Sequence, residues 1–127
     1  MIQKINNSNE GNMLKKSKHW TKSKNIHSKR YKNDLANYLN GRGLKCVTER
    51  IEGIEEVIGH KGSIIRKDDE LIIYASQEVI MRTKVEYLSA WELLSLEGVV
   101  ITAIDMEHDN VERSIIAYYS YWRELED

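Results

Sequence analysis

The sequence predicts one small α+β domain, in which a mixed but mostly antiparallel sheet of five to six strands packs against two helices. Between residues 68 and 98 the apolar pattern changes its period twice, which predicts a hairpin followed by a helix. Another helical pattern precedes this stretch at residues 28–41, and two apolar strands follow it. The alternative is a small closed barrel of the OB type, which also has a helix between its third and fourth strands.

The first predicted helix starts at Ser28, whose hydroxyl can accept a hydrogen bond from a free backbone N–H, and it ends at Gly41 or Gly43. Its apolar side chains recur at helical spacing on one face: Tyr31, Leu35, Tyr38 and Leu39. Residues 44–51 alternate in polarity and predict a strand. Residues 51–61 fit either a helical turn or a short strand.

The stretch from residue 68 to residue 98 predicts the hairpin and the second helix. β-Branched and aromatic residues fill 71–75 and 79–81, with a turn at Ser76 and Gln77. Thr83 and Glu86 then have the spacing of a capping box, in which each side chain bonds a free backbone N–H. Apolar residues follow at helical spacing: Leu88, Trp91, Leu93, Leu94 and Leu96. We therefore expect a helix that begins near Thr83 and ends at Gly98.

Two further strands are predicted at residues 99–106 and 113–122, joined by the polar turn 107–110. Both faces of the last strand carry apolar or aromatic residues, so we expect it to be covered on both sides or to form a subunit contact. A homodimer would use the aromatic residues of this strand: Tyr118, Tyr119, Tyr121 and Trp122.

Length and composition limit the classes of protein that this chain can belong to. Its 127 residues suit one domain. The single cysteine, Cys46, excludes an intramolecular disulfide and any Cys-x-x-Cys site. No apolar run reaches the roughly 18 residues of a membrane span, and residues 1–24 lack the apolar core of a secretory signal, so we expect a cytoplasmic location. No zinc spacing or cofactor motif is present, and we expect no cofactor or metal.

Positive and negative charges are segregated along the chain. Residues 1–32 carry nine Lys or Arg and one Glu, a net charge of +8, whereas the rest carries ten basic and nineteen acidic residues, a net charge of −9. We therefore divide the chain into a basic, partly flexible N-terminal arm at 1–27 and one α+β domain at 28–127. A basic arm on an acidic body is typical of polyanion binding. The alternatives are that the arm folds back onto its own acidic domain or is a solvated tail.

Basic residues in the stretch 13–32 are interleaved with Trp20, Ile26, Tyr31, His19 and His27. Lysine and arginine can neutralise phosphates, and a tryptophan can stack on an exposed base. The predicted nucleic-acid contacts are Lys15, Lys16, Lys18, Trp20, Lys22, Lys24, Lys29, Arg30 and Lys32.

Residues 57–63, VIGHKGS, resemble the GXXG loop with which KH domains grip a nucleic-acid backbone. In that family the loop leads into a helix, and the segment before Leu71 is too short for one. We therefore interpret Gly59 and Gly62 as turn residues and residues 63–75 as a strand, a turn and a strand.

The order helix, strand, hairpin, helix and strand over residues 28–103 resembles the core of the PD-(D/E)xK nuclease superfamily, particularly its Holliday-junction-resolvase-like members. Asp69 precedes Arg82 by thirteen residues, and Arg82 with Thr83 and Lys84 occupies the place of the acidic-x-Lys signature. Lys32 and Arg82 stand where the family has carboxylates that hold a divalent ion. The resemblance therefore implies a catalytically inactive relative that keeps a nucleic-acid surface, with Arg82 and Lys84 as secondary contacts.

Together these patterns favour a non-enzymatic nucleic-acid-binding accessory protein that uses its basic arm. The alternative class is a protein–protein interaction module, an inhibitor or assembly factor that docks through its acidic body or its aromatic last strand. A metal-dependent nuclease is the third class considered.

Overall fold

The computed structural model describes residues 28–120, which form one antiparallel sheet of seven strands and one α-helix. Helix α1 spans Lys29–Leu39, and a 3-10 turn, Val85–Tyr87, separates the fourth strand from the fifth. The strands are β1 (Gly43–Ile51), β2 (Ile54–Lys67), β3 (Glu70–Ala75), β4 (Glu78–Lys84), β5 (Ser89–Glu92), β6 (Gly98–Asp105) and β7 (Val111–Tyr119).

The predicted fold class is wrong, because the described residues contain seven strands and one α-helix rather than five to six strands and two helices. The predicted helix after Thr83 is replaced by the 3-10 turn, by β5 and by the turn that leads to β6. Thr83 is a fully buried residue of β4 and caps no helix, and the side chain of Leu94 is 86% exposed. The OB order is also absent from the described part, where α1 precedes all seven strands.

Residues 89–92 form a strand because β6 supplies a pairing partner for them. Ser89 pairs with Thr102 and Glu92 pairs with Val99 in antiparallel register. Burial alternates along β5, with Ala90 and Glu92 inside and Trp91 outside. Tertiary pairing therefore overrides a helical spacing of apolar residues.

The local predictions for α1 and the central hairpin are confirmed. Ser28 caps α1, since its hydroxyl accepts a hydrogen bond of 3.0 Å from the backbone N–H of Tyr31. The β3–β4 turn consists of Ser76 and Gln77, whose φ angles of 54° and 64° are those of a tight two-residue hairpin loop. Residues 51–61, which fitted two structures, form the turn Glu52–Gly53 and the first half of β2.

Gly59 and Gly62 lie within β2 and are not turn residues, which corrects their interpretation. A Cβ atom on Gly59 would lie 2.6 Å from the Cβ of Ala75, and one on Gly62 would overlap the carbonyl of Tyr74. The close approach of β3 to β2 therefore requires glycine at both positions.

The strand order is β4-β3-β2-β1-β7-β6-β5, and the sheet curves so that β4 approaches the end of β6. The backbone N–H of Met106 donates a hydrogen bond of 2.7 Å to the carbonyl of Arg82 across this gap. The concave face and α1 enclose the core, in which Leu35, Ala36 and Leu39 contribute fully buried side chains from the helix. No helix in the described part of the chain is long and apolar enough to cross a membrane.

The last two predicted strands are present, at 98–105 rather than 99–106 and at 111–119 rather than 113–122, and residues 121 and 122 lie outside the described part of the chain. The two faces of β7 differ. Ile115, Ala117 and Tyr119 lie in the core, whereas Ile116 and Tyr118 are half-buried on the outer face. Tyr119, which we placed at a subunit contact, is only 2% exposed and belongs to the core instead.

Candidate nucleic-acid interface

A groove of about 480 Å³ lies between the first turns of α1 and the end of the sheet where β2, β3 and β4 meet. We call it the basic groove, and its lining residues are Lys29, Lys32, Asn33, Arg66, Asp69, Lys84, Val85 and Glu86. Three separate parts of the chain supply its cations: α1, the end of β2 and the end of β4.

Hydrogen bonds hold the walls of the basic groove together. The Arg66 guanidinium donates to the Asn37 side-chain oxygen at 2.8 Å and to the Asn33 carbonyl at 3.4 Å, which joins β2 to α1. The Lys32 ammonium donates to the carbonyl of Glu86 at 2.6 Å, which joins α1 to the 3-10 turn. The relative position of the three elements is therefore defined by side chains that also line the groove.

Two of the four cations in the basic groove have no partner among residues 28–120. The side chains of Lys29 and Lys84 form no hydrogen bond or ion pair within this range. Against the four cations the lining has two carboxylates, Asp69 and Glu86. The groove therefore keeps a net positive charge that an anionic ligand can neutralise.

The structure brings together some of the residues that the sequence singled out. Lys29, Lys32 and Lys84 all line the basic groove, although Lys84 is more than fifty positions away from the other two in sequence. Arg30 is exposed on α1 outside the lining. The remaining predicted residues lie outside the described part of the chain: Lys15, Lys16, Lys18, Trp20, Lys22, Lys24, Tyr121 and Trp122.

Arg66 is a lining residue that the sequence analysis missed. It lies one residue before the end of β2. In the sequence SIIRK, a basic residue at this position predicts only the end of a strand. Its importance follows from its contacts with Asn33 and Asn37, which are one helical turn apart on α1. Only the packing of α1 on β2 identifies it.

Arg82, a predicted secondary contact, points away from the basic groove into a second cluster of charges. Its guanidinium donates to Glu107 at 3.1 Å and to Glu70 at 3.2 Å. Both hydrogen bonds raise the pKa of Arg82, and the one donated to Glu107 has the larger effect. Arg82 is thus a paired cation, in contrast to Lys84 two residues further along the chain.

The centre of this second cluster, the turn cluster, is the fully buried carboxylate of Asp105. One oxygen accepts hydrogen bonds from Arg113 at 2.6 Å and from the His108 Nδ1 at 2.7 Å. The other accepts from the backbone N–H groups of Glu107 at 2.9 Å and Arg82 at 3.2 Å. Burial by itself raises the pKa of Asp105, but these hydrogen bonds outweigh it, so that the pKa lies below its ordinary value.

Arg113 extends the turn cluster across the sheet. Its guanidinium makes a two-point ion pair with Glu49 of β1, at 2.8 and 3.1 Å, and donates to the Ile80 carbonyl of β4 at 2.9 Å. The hydrogen bond to Glu49 is the largest cause of a raised pKa of Arg113, and the bond to Asp105 adds to it. The turn cluster therefore links β1, β4, β6 and β7 and closes the curved sheet.

A third group of polar side chains is buried beside the core. Glu92 is 5% exposed and accepts hydrogen bonds from the hydroxyls of Tyr38 at 2.7 Å and Tyr119 at 3.2 Å. The Arg42 guanidinium lies 4.8 Å and 4.3 Å from the centres of the same two rings. Burial, and then the charge of Glu92, raise the pKa of Tyr119. The sequence analysis missed this group because it assigned residue 92 to a helix.

Apolar side chains also cross the outer face of the sheet. The pairing register aligns Trp91 with Val100, Val100 with Ile116, Ile116 with Thr48 and Thr48 with Val57. At the two ends of this row Trp91 is 45% and Val57 is 52% exposed. Tyr118 lies on the same face and donates a hydrogen bond of 2.7 Å to Glu55. A homodimer contact through this face of β7 stays a prediction.

The resemblance to the nuclease superfamily depended on a helix after the central hairpin, which residues 83–97 do not form. Asp69 lies in the two-residue turn between β2 and β3. Among residues 28–120 no three His, Cys, Asp or Glu side chains are grouped so that they could hold a metal ion. Comparison of the chain with protein-family models, with curated proteins and with solved structures gives no match.

Proposed function

We propose that this protein is a nucleic-acid-binding accessory protein, and that the basic groove and the basic arm form one binding surface. The observation that supports this proposal is the meeting of four cationic side chains, from three elements, in one groove. Lysine and arginine contacts to phosphate oxygens provide most of the sequence-independent affinity for nucleic acids.

The covalent connection between the arm and the domain supports the same surface. Residues 1–27 carry six lysines and one glutamate and are joined to Ser28, the residue that caps α1. Lys29 and Lys32, in the first turn of that helix, line the basic groove. The arm is therefore continuous in sequence with a helical turn that lines the groove, which supports a shared surface.

The distribution of paired charges favours the basic groove over the turn cluster as the contact for a polyanion. The cations of the turn cluster, Arg82 and Arg113, already have carboxylate partners. A phosphate would have to compete with those carboxylates, whereas Lys29 and Lys84 have no partner within residues 28–120. Contact with these ammonium groups breaks no ion pair within the described residues.

Fluorescence anisotropy of the full-length protein with labelled DNA and RNA tests this proposal. Binding should weaken between about 50 and 200 mM salt, with a log–log slope of about −0.7 per phosphate contact for a single strand and about −0.9 for a duplex. The double substitution Lys29→Gln with Lys84→Gln should reduce the affinity and make the slope less steep.

Arg50→Gln is the matched control for this experiment. Arg50 lies at the opposite end of the long β1–β2 hairpin. It is opposite Glu55 in the strand register, and its side chain donates a hydrogen bond to the Gly53 carbonyl. Arg66 lies eleven positions after Glu55 in β2, or about 36 Å along the strand. The proposal fails if no nucleic acid binds, or if Arg50→Gln lowers the affinity as much as the single change Lys84→Gln.

A further inference from the structure

The basic groove has the volume of a small-molecule site. Its volume of about 480 Å³ lies in the range of ligand pockets, roughly 300–1,000 Å³. It is a concave site between a helix and the end of a sheet. A groove of this volume can hold a ligand of about the size of one nucleotide unit.

The lining combines unpaired groups of both charges. The carboxylates of Asp69 and Glu86 and the amide of Asn33, like the ammonium groups of Lys29 and Lys84, make no side-chain hydrogen bond within residues 28–120. A surface that only attracts phosphates gains nothing from carboxylates, because these repel phosphates. Carboxylates become useful when the ligand also presents hydrogen-bond donors, as a ribose hydroxyl or a base amino group does.

The number of free cations in the groove matches one terminal phosphate. A phosphate monoester carries a charge of about −1.5 to −2 near neutral pH, whereas a backbone diester carries −1. Lys29 and Lys84 together provide two positive charges without a partner in the described part of the chain. Val85 adds an apolar wall beside them.

We infer that the basic groove binds one nucleotide unit through a terminal phosphate, so that the protein recognises a phosphorylated strand end or a free nucleotide. This inference rests on the proposed function and makes it more specific. Lys29 and Lys84 bind the phosphate, and Asp69, Glu86 and Asn33 bind the donor-bearing part of the same unit.

Fluorescence anisotropy with short single-stranded RNA and DNA tests this inference. Each strand is prepared with and without a phosphate at the 5′ end or at the 3′ end. The fluorescent label is attached to the opposite end. A terminal phosphate at one of the two ends should increase affinity about tenfold, the effect of a charge-assisted hydrogen bond. Lys84→Gln should remove this increase, and Arg50→Gln should retain it. Nucleoside monophosphates, used as unlabelled competitors, should displace the phosphorylated strand.

Neutral variants of the two carboxylates provide the decisive control. Asp69→Asn and Glu86→Gln keep the shape of the groove and remove its negative charge. Weaker competition by nucleoside monophosphates in these variants supports the inference, since the carboxylates then contact the ligand. Stronger binding would overturn it, because the carboxylates would then only repel phosphate.

The two proposals fail in different ways. Equal affinity for phosphorylated and unphosphorylated strands, with a steep salt dependence, would overturn the terminal-phosphate site and leave the general nucleic-acid-binding function intact. Absence of binding to every strand would contradict both.

Discussion

The turn cluster and the basic groove both contain basic and acidic side chains, but these side chains are paired in the turn cluster and partly unpaired in the basic groove. In the turn cluster the fully buried Asp105 accepts four hydrogen bonds, and Arg113 pairs with both Asp105 and Glu49. In the basic groove Lys29 and Lys84 lie near two carboxylates and pair with neither within residues 28–120. The first arrangement stabilises the fold, and the second remains available for a ligand.

Burial explains this difference. A charge that leaves water loses its hydration, and only excellent pairing and hydrogen bonding compensate for that loss. Asp105 lies under the β6–β7 turn and must therefore be surrounded by donors. The lining of the basic groove stays in contact with water, so its charges need no protein partner. Saturated pairing therefore identifies a structural cluster, whereas the unpaired charges of the groove stay hydrated and are available for the ligand that we propose.

The largest expected effect is the loss of stability in the variant Asp105→Ala. This change leaves Arg113 without one of its carboxylates and the backbone N–H groups of Arg82 and Glu107 without an acceptor. Breaking a buried ion pair in this way costs about 3–5 kcal/mol. Urea unfolding followed by circular dichroism measures it. Glu112→Ala, at an exposed position of β7, should change the free energy of unfolding by less than about 0.5 kcal/mol. Equal losses in both variants would show that the turn cluster is not structural.

The pH dependence of stability sharpens the same comparison. The pKa of Asp105 is lower in the folded protein than its ordinary value, so its contribution is complete above the unfolded pKa of about 4 and is lost as the pH falls through the folded pKa. The difference in unfolding free energy between the wild type and Asp105→Ala should therefore narrow below about pH 4. Urea titrations at several acidic pH values measure this difference. If the difference in unfolding free energy between the two proteins does not change at acidic pH, groups other than Asp105 stabilise the β6–β7 turn.

The smallest effect on stability is expected in the basic groove. Lys29→Gln and Lys84→Gln remove no hydrogen bond or ion pair within the described residues, so each should change the free energy of unfolding by less than about 0.5 kcal/mol. The same proteins should lose affinity for nucleic acid. A stability loss comparable to that of Asp105→Ala would make these lysines structural and would remove the contrast between the two regions.

The sequence by itself predicts the elements that depend on neighbouring residues. Ser28 and the apolar spacing of residues 31–39 predict α1, and Ser76 with Gln77 predicts the central hairpin. β-Branched and aromatic residues predict the last two strands, although the predicted bounds, 99–106 and 113–122, differ from the observed 98–105 and 111–119. In each case the cap, the turn or the alternation is encoded within a few positions.

Tertiary structure alone decides the state of residues 83–97. The capping-box spacing of Thr83 and Glu86 and the apolar residues after it suit a helix, yet β6 offers a row of backbone groups that only a strand can pair with. Thr83 is consequently buried in β4. The free energy gained by strand pairing and burial exceeds the small helix preference of a short segment. The residues of the segment itself do not predict that gain, because it depends on β6.

The candidate site depends on tertiary structure in the same way. Lys29, Lys32 and Lys84 can be selected from the sequence as basic residues, but their meeting with Arg66 depends on how α1 packs on the end of β2. The fold likewise buries Tyr119 and leaves Tyr118 on the outer face. It also gives Arg82 two carboxylate partners and gives Lys84 none within residues 28–120. The sequence determines which charges the chain carries. The fold determines which of them lose their water and must pair, because only the fold decides which side chains are buried.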